Sequence, residues 1–165
     1  MQQQNPLGYQ SIPSLLKSFA IPSIIAMLVG SLYNIVDQVF IGQGVGYLGN
    51  AATNVSYPLT TICLAISLLI GIGSASRFSL YLGSGRQEDA AKVAGNGICM
   101  MVVFGVVYAV LVELFLTPLL TAFGATAAVM PYAATYSRII ALGMPFQIIT
   151  TGMSKLILAD GSPKY

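Results

Sequence analysis

Four long apolar stretches, over 18–41, 56–81, 94–116 and 133–158, constrain this chain more than any other feature. A membrane-spanning helix needs about 20 mostly apolar residues, because the hydrocarbon core is about 30 Å thick and a helix rises about 1.5 Å per residue. Lipid offers no hydrogen-bond partner, so each backbone N–H and C=O must be satisfied within the segment itself. Helices do this, strands without a closed barrel do not. The composition agrees: 56% of the 165 residues are hydrophobic and 7% charged, where soluble domains carry about a quarter charged. The expectation is an all-α polytopic membrane protein with four transmembrane helices.

The connections "GQGVGYLGNAATN", "LGSGRQEDAAK" and "TPLLTAFGATAAVMP" are rich in turn-forming residues. The first and third carry no charge, whereas the second holds Arg86 and Lys92, with Arg77 just ahead of it. Lys17 precedes the first stretch, and Lys155 and Lys164 lie at the far end of the fourth. Basic residues are retained on the cytoplasmic side. The N-terminus, the second connection and the C-terminal end are therefore expected in the cytoplasm, in a multi-pass protein of the plasma (inner) membrane. Arg138, a few residues inside the opposite end of the fourth stretch, departs from the pattern, while Arg77 and Lys155 read as interfacial anchors. Within the second connection, Ser84 followed by Gln87 predicts a capping box, and Glu88 with Lys92 a favourable i,i+4 pair.

Other function classes are disfavoured. Seven basic and five acidic residues give a formal charge of +2, and they are scattered, which argues against a nucleic-acid partner. Histidine, the commonest general base and metal ligand, does not occur in the sequence. Cys63 and Cys99 fit no metal or redox spacing, and buried packing is the expectation for both. "GVGYLG", with Gly44, Gly46 and Gly49, matches the dinucleotide pattern G-x-G-x-x-G. Such a site needs a preceding strand and an acid about twenty residues later. Here an apolar span precedes it and 54–77 contain no acid. No enzyme, metal centre or organic cofactor is expected.

The residue that asks for a function is Asp37, set in "SLYNIVDQVF". On a helix Gly30, Tyr33, Asn34 and Asp37 fall at i, i+3, i+4 and i+7 and share a face, with Leu32, Ile35, Val36 and Val39 on the other side. An ionised Asp at a helix centre costs about 2.5–3.5 kcal/mol on insertion scales, and intramembrane acids mostly line cavities or ion paths. Tyr33, one turn away, can donate to the carboxylate. Poor solvation disfavours the charged form of a carboxyl, which suits such an acid to take up and release a proton. It can equally help coordinate a hard monovalent cation with amide and backbone oxygens. The bland alternative is an interfacial side chain or an interhelical hydrogen bond.

Pro22 removes one backbone hydrogen bond from the same helix and marks a bend or hinge. Glu113 and Arg138, near the same ends of antiparallel third and fourth spans, form a possible interhelical ion pair or else snorkel independently. Gly71, Gly73, Gly95 and Gly97 suit close helix packing in lipid.

"PSIIAMLVGSLYNIVDQVFIGQGVGYLGNAATNVSYP" resembles the first span and following loop of multidrug and toxic compound extrusion (MATE) transporters. "GIGSASRFSLYLGSGRQEDAAK" is similar to their second span and the turn into the third, and "LGMPFQIITTGMSKLILADGSPKY" to their fourth span and its exit. The resemblance implies a twelve-span architecture in two six-helix bundles, extruding cationic or amphipathic small molecules in exchange for protons or sodium. It implies a cation-coupling role for Asp37, with Tyr33 and Asn34 in the same cavity, and a bending role for Pro22. Residues 1–165 are then expected to be the N-terminal part of such a transporter, a partial six-helix lobe ending before the fifth span. Its partners would be the bilayer, the transported molecules and the remaining spans. Two other readings stand beside it: a lipid or lipid-linked oligosaccharide flippase of the same superfamily, and a non-transporting four-span membrane scaffold.

Overall fold

A computed structural model describes residues 11–161, apart from the side chain of Phe19; Lys164, counted above among the cytoplasmic basic residues, lies outside them. Every element among the described residues is a helix: α1 (Ile12–Gly44), α2 (Tyr47–Gly83), α3 (Gln87–Leu114), α4 (Leu116–Ala122) and α5 (Met130–Ala159). Four of these, α1, α2, α3 and α5, are long and apolar enough to cross a membrane. The all-α, four-span expectation holds.

The helices outrun the stretches that announced them. With 37 residues, α2 extends for about 55 Å, well beyond a hydrocarbon core of about 30 Å. The turn-rich first connection is reduced to Val45 and Gly46, and helix resumes at Tyr47. Gly46 takes φ 79°, which a side chain would resist, and so turns the chain back on itself. Gly49 then packs where a Cβ would lie 2.8 Å from Ile41 Cγ2 and 2.9 Å from Val45 Cβ. This residue, read above as loop, is what lets the start of α2 fold against the end of α1.

The α2–α3 turn is a Schellman closure. Gly85 has φ 77°; its N–H donates to Leu82 O at 3.1 Å and the Arg86 N–H to Tyr81 O at 2.9 Å. Ser84 therefore belongs to the end of α2, where its Oγ donates to Tyr81 O at 3.0 Å. The capping box expected of Ser84 and Gln87 does not form: the N-cap of α3 is Arg86, with no side-chain cap bond. Arg86 instead pairs with Asp89 at 2.7 Å, and the expected Glu88–Lys92 pair is present at 2.9 Å. Gly124, φ 94°, closes α4 in the same manner, with Ala125 N–H on Leu120 O at 2.9 Å.

The core lies where α5 packs against α2 and α3. The buried stripe of α5 is Ala133, Ser137, Ala141, Met144, Ile148, Gly152 and Leu156. Against it stand Ser56, Leu59, Cys63, Ser67 and Gly71 of α2, and Gly97, Met101 and Gly105 of α3. Small residues dominate because helices in lipid gain from close van der Waals approach rather than from leaving water. Gly71 meets the backbone of Gly152, Gly105 that of Pro145, and Gly97 the side chain of Ser74. Gly73 and Gly95, expected at such contacts, face open space. Hydrogen bonds stitch the seam: Ser137 Oγ to Ser56 Oγ at 2.8 Å, Ser67 Oγ to Ile148 O at 3.0 Å, and Tyr108 OH to Leu59 O at 2.7 Å. Cys63 is buried here as expected, but Cys99 is exposed on α3. α1 stands apart, with none of its described side chains buried.

Candidate functional site

Because α1 touches the rest of the fold mainly near its turn into α2, a cleft opens between them and α5. Asp37 lies seven residues before the end of α1 and Tyr136 six residues after the start of α5, so both sit about 9–10 Å along their helices from the same end of the bundle. Asp37 and Tyr33 are within electrostatic reach of Tyr136. One turn further, Ile41, Val45, Thr53, Tyr132, Thr135 and Tyr136 line a cavity of about 430 Å3.

The Asp37 side chain is half-buried. Among the described residues it has neither a hydrogen bond nor an ion pair. An unpartnered carboxylate at this depth is costly in lipid but tolerable beside a water-filled cleft. Tyr136 brings a phenol that can donate to it, and Tyr33, 69% exposed, stays free to move. No group of three or more His, Cys, Asp or Glu side chains that could hold a metal occurs among the described residues.

The polar stripe of α1 divides between two neighbours. Tyr33 and Asp37 turn toward α5. Asn34 turns toward α2: its Nδ2 donates to Gly30 O at 3.0 Å, and it shares a groove of about 600 Å3 with Gln38, Gly42, Gln43 and Asn50. Across this groove Gln38 Nε2 donates to Thr53 Oγ1 at 3.3 Å, and the Thr53 hydroxyl donates to Asn50 O at 2.9 Å. This chain of bonds is the polar tie between α1 and α2, and it begins one residue after Asp37. Gln38, Thr53 and Tyr136 were not singled out from sequence. Gln38 adjoins the acid, and Tyr132 with Tyr136 at i,i+4 in "MPYAATYSR" was the available signal for a polar face at the start of the fourth span.

Pro22 lies within α1, which runs unbroken across it. The Glu113–Arg138 pair is not formed: both side chains are exposed, and neither has an ionic partner among the described residues. Each follows a residue of its helix's buried stripe, Val112 and Ser137, and is rotated about 100° away from it. The seam that joins the two helices therefore turns both charges outward.

Comparison with known proteins accords with this geometry. The MatE family model matches residues 22–165. The chain is 26% identical to the probable multidrug resistance protein YoeA of Bacillus subtilis, over 98% of this chain and 36% of that protein. It is 26% identical to the multidrug export protein MepA of Staphylococcus haemolyticus, over 93% of this chain and 34% of that protein. The solved structure of the MATE multidrug transporter DinF-BH in complex with a drug superimposes with a TM-score of 0.89 at 36% identity, covering 99% of this chain and 37% of that one. The chain thus spans about a third of the length of the proteins it matches.

Proposed function

The chain belongs to the MatE family of multi-pass membrane transporters, and on that premise we propose that residues 1–165 supply part of the N-terminal lobe of a cation-coupled exporter of cationic or amphipathic small molecules. Asp37 is its coupling group. It takes a proton or a sodium ion from the cleft and gives it up as the lobe changes conformation. The observation that carries this reading is the unpartnered, half-buried carboxylate facing the cleft between α1 and α5.

Coupling requires that the ion bind two conformations with different affinity. α1 is suited to make that difference. It is tied to α2 near the turn by Gln38 and Thr53, and is otherwise without buried contacts. Movement of α1 about that tie and about Pro22 would open or close the space between Asp37 and Tyr136. Asn34, already committed to Gly30 O, contributes to the polarity of the α1–α2 groove rather than facing Tyr136. In this reading the N-terminus and the α2–α3 turn are cytoplasmic, in the plasma membrane, as the basic residues suggest.

The test is a chimaera in which this chain replaces the matched third of YoeA. Drug efflux from cells carrying it should fall at least about tenfold with Asp37→Asn, a loss of about 1.4 kcal/mol or more of coupling, at unchanged protein level. Unimpaired efflux by that variant would remove Asp37 from the mechanism.

A further inference from the structure

We propose that the groove between α2 and α3 binds one anionic phospholipid, with its phosphate on Arg77 and an acyl chain laid along the groove. The groove has a volume of about 460 Å3 and lies at the end of the spans opposite the Asp37 cleft. Its apolar walls are Ile66, Leu69 and Ile70 of α2 with Met100 and Phe104 of α3; Leu69 is 77% exposed. Its mouth carries Arg77, Tyr81 and Asn96.

Length and charge select the occupant. Ile66 to Arg77 is eleven residues of α2, about 16 Å of rise, which matches the depth of one leaflet, half of a core of about 30 Å. An acyl chain entering at Ile66 therefore brings its headgroup level with Arg77. The other two cations of the α2–α3 turn are already paired, Arg86 with Asp89 at 2.7 Å and Lys92 with Glu88 at 2.9 Å. Arg86 also lies over the Tyr81 ring, 4.7 Å from its centroid. Arg77 has no ionic or hydrogen-bonding partner among the described residues. Three cations against two anions leave one positive charge on this hairpin, and it is the one at the groove mouth. A guanidinium offers a phosphate two parallel N–H donors. A further helix packed over the groove would instead strand that charge in an apolar contact. Gly73, in the groove wall, has nothing within 4 Å of its Cβ position, so the space beside it is open.

The test is native mass spectrometry of the chain released from nanodiscs containing equal phosphatidylglycerol and phosphatidylcholine. One phosphatidylglycerol should be retained in preference to phosphatidylcholine. Arg77→Gln should lower that retention about fivefold, the factor for one basic residue beside anionic lipid, and Arg77→Lys should restore most of it. Gly73→Leu, which fills the groove without meeting protein, should reduce retention of both lipids, and Arg138→Gln, at the opposite end, should change neither. Equal retention of the two lipids, or undiminished phosphatidylglycerol on both Arg77→Gln and Gly73→Leu, would overturn the proposal. So would a dimer that strengthens as lipid is stripped, since a second copy would then be the occupant.

Discussion

Replacing Gly71 by alanine puts a methyl group where the structure leaves no room. Its Cβ would lie 2.8 Å from Gly152 Cα, 3.1 Å from Gly152 O and 3.4 Å from Gly152 C. Carbons rest about 3.5–4.0 Å apart, so α2 and α5 must separate by about 0.7–1 Å. All three contacts are backbone, and none can swing aside. Such overpacking costs about 1–3 kcal/mol. Gly73, two residues on, supplies the control. Nothing lies within 4 Å of its Cβ position, and alanine there should stabilise by about 0.4–1 kcal/mol by restricting the unfolded chain. Cys63, fully buried in the same seam, reports the opening. In a chain carrying Cys99→Ser to remove the exposed thiol, labelling of Cys63 by a maleimide tracks the population of the opened seam. Gly71→Ala should label about 5- to 150-fold faster than the parent, the factors for about 1–3 kcal/mol, and Gly73→Ala no faster than the parent. Equal rates for the two variants would refute the argument that the α2–α5 distance is set by this glycine pair.

Two further outcomes follow from the interhelical polar contacts. Ser137→Ala removes the bond to Ser56 but leaves Ser56 Oγ bonded to Ala52 O at 2.8 Å, so no buried hydroxyl is orphaned. The cost should be about 0.6 kcal/mol, typical of such bonds in membranes, read as a two- to threefold rise in Cys63 labelling. Gln38→Leu cuts the tie to Thr53 while leaving Asp37 in place. Spin labels on α1 and α2 near the turn should then give a broadened distance distribution, and an unchanged one would show that the Gly49 contact alone sets the angle between the helices.

The sequence by itself determined that four helices cross a bilayer, because length and hydropathy are all that a span requires of its residues. It also marked Asp37, since a lone acid among apolar residues stands out whatever surrounds it, and the Glu88–Lys92 pair, which needs only helical spacing. Its limits have one physical cause. In water, a helix's apolar face names its packing side, but in lipid the packed and the lipid-facing sides are both apolar. The patterns of α2, α3 and α5 therefore could not say that Gly71 meets Gly152 while Gly73 meets nothing, or that Cys63 is enclosed while Cys99 is exposed. Tertiary structure alone decided those points. It also turned Glu113 and Arg138 outward, and it set Tyr136, ninety-nine residues from Asp37 in sequence, across the cleft from the acid.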